Sequence, residues 1–433
     1  MLVYTPDITN RIRYIFKTIF VDIWNISYEL TDDLFHFQNY DGPKLNYSMR
    51  KIEEEFFIEC HDLLIEKGIS DQEIQITEWE GLPVFFQTSS YSSLPFDVFA
   101  ASFYLLSRYE EYLPHIRDHY ERFMAKESLA FQHGFLQKPL VNLWLQKLLS
   151  MIQLAYPEFR PDGSQFKFIS TIDIDNAYCY LEKGLARNLG GFARSLWKGE
   201  KKEMKERWKV LRKKQPDPYD TFDLQLALKE KYDLEVIYFV LLADYGLNDK
   251  NIPFQSRKFQ LLIKHLSDHA PVGIHPSFGS NYDHEKLKEE LKRLKNIIKR
   301  EVNISRQHFL KLSFPITYRN LIDLGIQHDY TMGYATYPGF RASICNPFYF
   351  YDLELEQSTS LLIHPFIIMD ATFKYYLDFN PEQALSLTKV LIQEVKKVNG
   401  TFIILWHNET WSEYGAWKGW SQLYEEIVKL TKL

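Results

Sequence analysis

The chain has 433 residues, of which 45% are hydrophobic and 25% are charged, as is ordinary for a globular protein of two or three domains. The net charge of −6 argues against general nucleic-acid binding, and three scattered cysteines argue against a disulfide framework. We find neither the pattern of a cleaved signal peptide nor an apolar run of bilayer length, and therefore expect a soluble, cytoplasmic protein.

The first part of the chain, residues 1–160, is predicted to be a small mixed α/β domain of unknown role. A short strand at residues 2–5 opens it, and two strands on either side of Glu80-Gly81 indicate a hairpin. The apolar spacing predicts a helix over residues 98–112. The breaker-rich stretch 157–164 marks the predicted domain boundary.

An alternating strand over residues 166–175 follows this boundary and ends in Asp173 and Asp175. Residues two apart on a strand point to the same side, so both carboxylates are expected to emerge together where the strand stops. Paired carboxylates at a strand end indicate a functional site.

A basic stretch at about 183–216 comes next and predicts one or two inserted helices. Between Lys183 and Lys214 there are 12 Lys and Arg against three Glu, so the remainder of the chain is acidic. We expect these charges to form a solvated helix surface. The alternative is a cationic face for an anionic lipid surface or an anionic substrate.

From residue 222 onward, predicted helices and strands alternate. The strands are predicted over 234–242, 271–274, 304–312, 326–331, 361–368 and 401–406. Repeated alternation calls for a parallel sheet, and the number of units favours a barrel over an open sheet.

Polar side chains follow several of these strands, among them Asp244, His275, Asp370 and His407-Asn408-Glu409. In α/β barrels the active site is assembled at the carboxyl ends of the strands, so these groups are expected to become neighbours. Asp244 precedes Tyr245-Gly246 and is more typical of a turn. Asp370 is equally consistent with a helix N-cap.

The two aspartates, His275 in Gly273-Ile274-His275-Pro276-Ser277, Arg306 in Ser305-Arg306-Gln307-His308-Phe309, and His407 in Leu405-Trp406-His407-Asn408 resemble the ordered motifs of NodB-type polysaccharide deacetylases, carbohydrate esterase family 4. The resemblance covers roughly residues 165–433. It implies a distorted (β/α) barrel, preceded here by the smaller domain. It also implies metal-assisted removal of an acetyl group from an N-acetylated sugar, with an Asp and two His as ligands, usually for zinc.

The resemblance also implies a role for each matching residue. Asp173 resembles the base that acts on metal-bound water, Asp175 and His275 resemble metal ligands, and His407 resembles the acid that protonates the leaving amine. A divalent cation held this way polarises the amide carbonyl and lowers the pKa of its water toward 7.

Two arginines are predicted to bind substrate. Arg306 corresponds to the arginine that orients the base in the family. Arg341 lies in a segment rich in aromatic and turn residues, which fits a loop that clamps a sugar and equally fits a packed loop with a structural arginine.

The chain departs from the family pattern at three positions. Ile174 separates the two aspartates, which are commonly adjacent. Gly279 stands where the second histidine ligand is expected, and His308 stands where the family usually has proline. One metal ligand of the family is therefore missing.

Several outcomes of the missing ligand remain open at this stage. His284 is the nearest replacement, although its position favours a solvent-facing side chain, and His364 or His407 are others. The metal is then held by Asp175 and His275 with water or such a residue, bound only together with substrate, or absent.

These patterns predict a metal-dependent hydrolase that removes an N-acetyl group from a sugar or glycan precursor, with a divalent metal as cofactor and zinc as the family's usual choice. The alternative is a degenerate, non-catalytic domain that binds glycans or scaffolds glycan assembly, because of Gly279. A weaker alternative is another metal-dependent hydrolase, for example one that acts on a phosphoester. Contact with a membrane surface through the basic insertion is a further expectation.

Overall fold

The computed structural model describes residues 1–432, and the first part of the chain builds a small sheet of its own. Its strands and helices are β1 (Leu2–Tyr4), α1 (Asn10–Phe16), β2 (Glu29–Thr31), α2 (Leu34–Gln38), β3 (Lys44–Ser48), β4 (Phe56–Glu59), β5 (Thr77–Trp79), β6 (Leu82–Val84), α3 (Val98–Leu106), α4 (Leu129–Gln132) and α5 (Leu140–Ala155). The order β2-β1-β3-β4 forms a parallel sheet, and β5 and β6 form the predicted antiparallel hairpin.

Helix α3 is the centre of this part, because all nine of its residues are buried. Asp97 caps it by accepting hydrogen bonds from the backbone N–H groups of Phe99 and Ala100, at 2.9 and 3.0 Å. This cap satisfies donors that the first turn would otherwise leave unpaired.

The second part of the chain forms a nine-stranded sheet flanked by helices. Its elements are β7 (Lys167–Ile174), α6 (Gly184–Trp197), α7 (Lys201–Leu211), α8 (Phe222–Tyr232), β8 (Glu235–Val240), α9 (Arg257–His269), β9 (Val272–Ile274), α10 (His284–Ile298), β10 (Ile304–Ser305), α11 (Ile316–Asp323), β11 (His328–Asp329), β12 (Phe348–Asp352), β13 (Gln357–Ile363), β14 (Ile368–Met369), α12 (Pro381–Lys397), β15 (Thr401–His407) and α13 (Trp420–Lys432). The strand order is β12-β13-β11-β10-β9-β8-β7-β15-β14. Within this sheet, as residues 1–432 form it, β12 and β13 are the one antiparallel pair.

The prediction of an α/β fold with a parallel sheet is confirmed, whereas the sheet does not close into a barrel among residues 1–432. β10, β11 and β14 are two residues long, too short to extend the ladder around a closed barrel. The strand predicted over 304–312 ends at Ser305, and it could not continue to residue 312 because Phe309 and Leu310 take the left-handed conformation, with φ of +59° and +57°.

Strand β7 lies near the middle of the sheet and positions its two carboxylates. It pairs with β15 over seven residues and with β8 over six, in parallel register. In that register Asp173 lies beside His407 at the carboxyl end of β15. The two motifs that are farthest apart in the sequence are therefore direct neighbours.

The first part of the chain packs against the antiparallel edge of the large sheet. The Tyr14 hydroxyl donates to the Tyr349 carbonyl at 2.8 Å, and Arg11 forms an ion pair with Glu356 beyond β12. Apolar side chains of both parts form one continuous core. The domain division at residues 157–164 stays a prediction.

Candidate metal and catalytic site

The carboxyl ends of β7, β9 and β15 surround a cavity of about 450 Å³. Four residues singled out in the sequence line it, namely Asp173, Asp175, His275 and His407. They meet because parallel strands end at the same edge of a sheet. The arrangement expected from the strand ends is therefore present.

A fifth residue, His308, completes a cluster with Asp175 and His275. The ligand atoms of the three residues lie within 4.8 Å of one another. Asp175 Oδ1 is 3.1 Å from His275 Nε2, and Asp175 Oδ2 is 3.5 Å from His308 Nε2. In a tetrahedral zinc site with bonds of about 2.1 Å, neighbouring ligand atoms are about 3.4 Å apart. The spacing of this cluster fits such a site.

In both histidines Nδ1 is held by a hydrogen bond, which leaves Nε2 free to bind a metal. His275 Nδ1 donates to the Arg306 carbonyl at 2.5 Å, and His308 Nδ1 donates to Asp249 Oδ1 at 2.8 Å. Each ring thereby turns Nε2 toward Asp175, as metal-binding histidines do. Asp175 Oδ1 is buried without a hydrogen bond. The donor set therefore fits a divalent cation.

The charges of the cluster are strongly coupled. Burial favours a higher pKa for Asp175, but His308 and His275 outweigh burial and hold that pKa well below its usual range. Burial favours a lower pKa for His308, but Asp175 and Asp249 raise it to about 9. Near neutral pH the His308 ring is therefore protonated, and it lies between the carboxylates of Asp175 and Asp249. A metal cation bound in the cluster would replace the proton on its Nε2.

His308 lies in a short 3₁₀ turn, His308–Leu310, that the first part of the chain holds in place. Arg122 donates to the Phe309 carbonyl at 3.0 Å, and the rings of Tyr120 and Phe309 are 4.6 Å apart. Left-handed φ values are uncommon for bulky residues and persist where neighbouring groups fix the backbone. Arg122 and Tyr120 are such groups.

The Arg306 guanidinium holds the Asp173 carboxylate in place. The guanidinium Nη1 donates to Asp173 Oδ1 at 2.9 Å, and Nε donates to the Tyr330 carbonyl at 3.0 Å. Asp173 Oδ2 is 3.7 Å from His275 Nε2 and so faces the cluster. Arg306 is fully buried and does not line the cavity, which differs from the predicted contact with substrate.

His407 is oriented by Asp370. Its Nδ1 lies 2.7 Å from Asp370 Oδ1, its backbone N–H donates to Oδ2 at 2.8 Å, and the Thr410 hydroxyl donates to Oδ2 as well. Burial favours a lower pKa for His407, but Asp370 outweighs it and raises that pKa to about 10. Asp370 is thus a partner of a site histidine, which was one of the two interpretations of its position.

Arg341, which was predicted to bind substrate, forms hydrogen bonds with Glu111 and Gly333. Its Nε and Nη2 both donate to the Glu111 carboxylate, at 2.9 and 2.5 Å, and Nη1 donates to the Gly333 carbonyl at 3.1 Å. All three nitrogens have partners and the side chain is buried. Arg341 therefore forms a buried ion pair with Glu111 and does not line the cavity at the strand ends, and its contact with substrate stays a prediction.

The replacement ligands considered besides His407 lie outside the cluster. The His364 ring stacks on Tyr330 and is 3.0 Å from His328, and His284 lies at the start of α10 beside Glu285. At Gly279 an added Cβ would lie 2.5 Å from the Lys286 ammonium group, so a side chain there requires that flexible lysine to move. His308 of the third motif, at the position where the family usually has proline, instead lies in the cluster that could hold a metal.

The walls of the cavity are aromatic and come partly from the first part of the chain. They include His119, Tyr120, Arg122, Tyr375, Tyr376 and Trp417. Glu409 also lines the cavity, and burial raises its pKa to about 7. Sequence patterns gave no indication of the residues at 119–122, because they lie on an irregular segment without periodicity.

Residues 1–157 match the model of a protein family of unknown function, DUF7033. No curated protein matches the chain. Among solved structures, a Mycobacterium smegmatis protein assigned as a polysaccharide deacetylase is 12% identical with a TM-score of 0.39, over 62% of this chain and 85% of that one. A Bacillus cereus polysaccharide deacetylase is 12% identical with a TM-score of 0.29, over 61% and 87%. A CE4 family pseudoenzyme from Bacillus anthracis is 11% identical with a TM-score of 0.28, over 62% and 63%. These likenesses are too distant to assign a family or an activity.

Proposed function

We propose that the chain is a metal-dependent hydrolase that removes an N-acetyl group from a sugar or glycan precursor. The observation that supports it is the cluster of Asp175, His275 and His308 beside Asp173 and His407 in one cavity. Together these side chains offer three ligands, a base and an acid. Metal-assisted amide hydrolysis needs that set of groups.

Asp175, His275 and His308 would hold the metal. A divalent cation bound there supplies a Lewis acid for the amide carbonyl and lowers the pKa of water toward 7. Three protein ligands of the imidazole and carboxylate type suit zinc and leave one position open. The Asp249 carboxylate behind His308 would strengthen that ligand.

Asp173 would accept the proton of the attacking water. Arg306 fixes Oδ1 and leaves Oδ2 directed at the cluster. A base held from one side keeps the orientation that proton transfer needs. Arg306 acts on the reaction only through Asp173.

His407 would donate a proton to the leaving amine. With Nδ1 held by Asp370, its Nε2 faces the cavity and lies 3.8 Å from Asp175 Oδ2. The raised pKa keeps this ring protonated near neutral pH. A protonated imidazole beside the reacting group is a suitable general acid.

The substrate class follows from the walls of the cavity. Aromatic side chains such as Tyr120, Tyr375 and Trp417 suit stacking on a sugar ring, and the volume of about 450 Å³ is within the range of small-ligand pockets. We therefore propose an N-acetylated saccharide as the substrate.

The alternative of a non-catalytic glycan-binding domain rested on the glycine at position 279. His308 supplies a third candidate ligand from another loop, so the glycine is a weaker reason to propose a non-catalytic domain. A metal-dependent phosphoesterase would use the same cluster and is distinguished by its product.

The proposal is tested by acetate release from N-acetylglucosamine oligosaccharides in the presence of zinc, cobalt or manganese. We expect the wild-type chain to release acetate and Asp173→Asn to abolish release. Asp244→Asn is the matched control, because Asp244 follows a neighbouring strand but pairs with Arg293 outside the cavity. Release at the wild-type rate by Asp173→Asn, or no release by the wild type with any of the metals, would contradict the proposal.

A further inference from the structure

Helix α6 is oriented opposite to an ordinary surface helix. Its polar residues Asn188 and Ser195 are buried, while four large apolar side chains are 66–88% exposed: Leu185, Leu189, Leu196 and Trp197. The three leucines are spaced i, i+4 and i+11 and therefore share one face. A helix of a globular protein normally turns such a face inward.

Polar contacts fix this orientation. The Asn188 amide donates to the carbonyls of Tyr180 and Gly184, at 3.3 and 3.1 Å. The Arg207 guanidinium from α7 lies over the Tyr180 ring at 4.6 Å and fills the space beside Gly191, where any side chain would collide with it. Rotating α6 to bury its leucines would break the contact of Asn188 with Tyr180 and the packing of Arg207 against Gly191.

Helix α7 follows directly in the chain and carries exposed basic side chains. Four exposed residues of α7 and its C-cap are spaced i, i+4, i+7 and i+11, namely Lys201, Lys205, Trp208 and Arg212. The cationic groups of Arg212 and Lys214 lie over the Trp208 ring at 5.3 and 5.1 Å. Because residues 183–214 hold 12 basic and three acidic side chains in a chain of net charge −6, this is the most cationic segment of a mostly acidic protein.

We propose that α6 and α7, residues 184–211, form a docking hairpin that binds the surface of an anionic lipid membrane. The leucines and Trp197 would enter the boundary between headgroups and acyl chains, and the lysines of α7 would contact anionic headgroups. Long basic side chains can reach headgroups while their stems stay against the apolar layer. A protein partner fits less well, because protein interfaces are depleted in lysine.

The docking hairpin is attached to the rest of the chain at the rim of the cavity. Asp217, just beyond the hairpin, accepts from the backbone N–H groups of Cys179 and Tyr180 at 2.7 and 2.8 Å, which ties its two ends together. The Tyr180 hydroxyl is 3.0 Å from that of Tyr414, and Trp417 of the same loop lines the cavity. Docking would bring the rim of the cavity to the lipid surface, whatever reaction the cavity performs.

The test is co-sedimentation of the full chain with vesicles of phosphatidylcholine alone and of phosphatidylcholine mixed with phosphatidylglycerol. We expect binding to the mixed vesicles only, and weaker binding at high salt. Leu185→Gln with Leu189→Gln should weaken the partition coefficient by about tenfold or more, because two leucines lose their burial in lipid. Lys201→Gln with Lys205→Gln should weaken it and reduce its dependence on salt.

The matched control is Leu154→Gln with Leu247→Gln, which replaces two equally exposed leucines outside the docking hairpin. These variants should bind vesicles as the wild type does. Absence of wild-type binding to the mixed vesicles, or equal weakening by the control pair, would overturn the proposal. So would wild-type self-association that is lost in the Leu185→Gln, Leu189→Gln variant while vesicle binding is unchanged, since the face would then join copies of the chain.

Discussion

His308 occupies the position on which the proposed metal site depends. Its ring lies between Asp249 and Asp175, so one nitrogen is held by the protein and the other is presented to the cluster. The same histidine explains how a chain with glycine at position 279 can still offer three ligand side chains. A loop residue from the third motif does this rather than a residue from the second.

The pair of His407 and Asp370 leads to a prediction about pH dependence. His407 must carry a proton to donate it, so activity is lost as the pH rises through its pKa of about 10. Asp370→Asn removes the carboxylate that raises this pKa, so the alkaline limb of the pH–rate profile should move to lower pH by about one unit or more. Acetate release measured across pH for both proteins tests this. An unchanged alkaline limb in the variant would mean that another group sets it.

At the scale of single residues, the sequence predicted the part of the site that lies on regular strands. Asp173 and Asp175 follow from the two-residue period of β7, and His275 and His407 follow from the common edge of parallel strands. His308 and Asp249 lie on loops, whose course depends on tertiary contacts rather than on local periodicity. The hydrogen bond between His308 and Asp249 was therefore not predictable. The sequence showed only that a histidine stands where the family usually has proline.

At the scale of elements, the turn His308–Leu310 depends on a contact from the other part of the chain. Arg122 donates to the Phe309 carbonyl and is itself held by Asp118 at 2.7 Å. Two consecutive left-handed residues are costly without such support. The turn that presents His308 is thus stabilised by the segment at 118–122.

Arg122→Ala should loosen this turn and weaken zinc binding roughly tenfold, because His308 would no longer be held in position. The chain should stay folded, since the side chain contacts a loop and not the apolar core. Zinc affinity by calorimetry, with circular dichroism as a check of folding, measures the effect. Arg117→Ala is the matched control, because Arg117 is exposed on the same segment and its guanidinium hydrogen-bonds to His115 rather than to the turn. Equal affinity in wild type and Arg122→Ala would exclude the positioning role.

Element prediction succeeded where a helix or strand is long and failed where it is short. The periodicity identified β15 to within one residue at each end. It extended β10 and β11 too far, because an apolar run beyond a strand end resembles the strand itself. It also missed β12, since that strand pairs antiparallel at an edge within a stretch that looked irregular.

At the scale of the whole molecule, a buried ion-pair network joins the two parts of the chain. Glu111 accepts from Arg108 at 2.8 Å and from Arg341 at 2.5 Å, and all three side chains are at most 2% exposed. The two arginines hold the pKa of Glu111 below its usual range against the effect of burial. A charge buried this deeply requires its partner.

Glu111→Ala should lower the free energy of unfolding by roughly 3–5 kcal/mol, because it leaves two buried guanidinium groups without their shared carboxylate. Urea denaturation followed by tryptophan fluorescence measures this change. The matched control is Lys147→Ala, which removes a surface ion pair with Glu80 and should cost less than about 1 kcal/mol. If the free energy of unfolding falls by less than about 1 kcal/mol in both variants, the network does not hold the two parts together.

The α/β class and the parallel sheet were predictable from the alternation of helices and strands, whereas the open sheet and the way the two parts of the chain meet were not. The ion pair between Arg341 and Glu111 could not be read from the sequence, because the two residues are 230 positions apart. The basic stretch was predicted to be one or two helices and is α6 and α7. Only the structure shows that the apolar face of α6 points outward.

The central claim is that Asp175, His275 and His308 form a divalent metal site, and calorimetric titration with zinc tests it most directly. We expect one zinc ion per wild-type chain, with affinity reduced roughly a hundredfold or more in His308→Ala, since a third ligand is lost. His284→Ala should bind zinc as the wild type does, because His284 lies outside the cluster. Zinc binding of equal strength in wild type and His308→Ala, or no binding by the wild type, would contradict the claim.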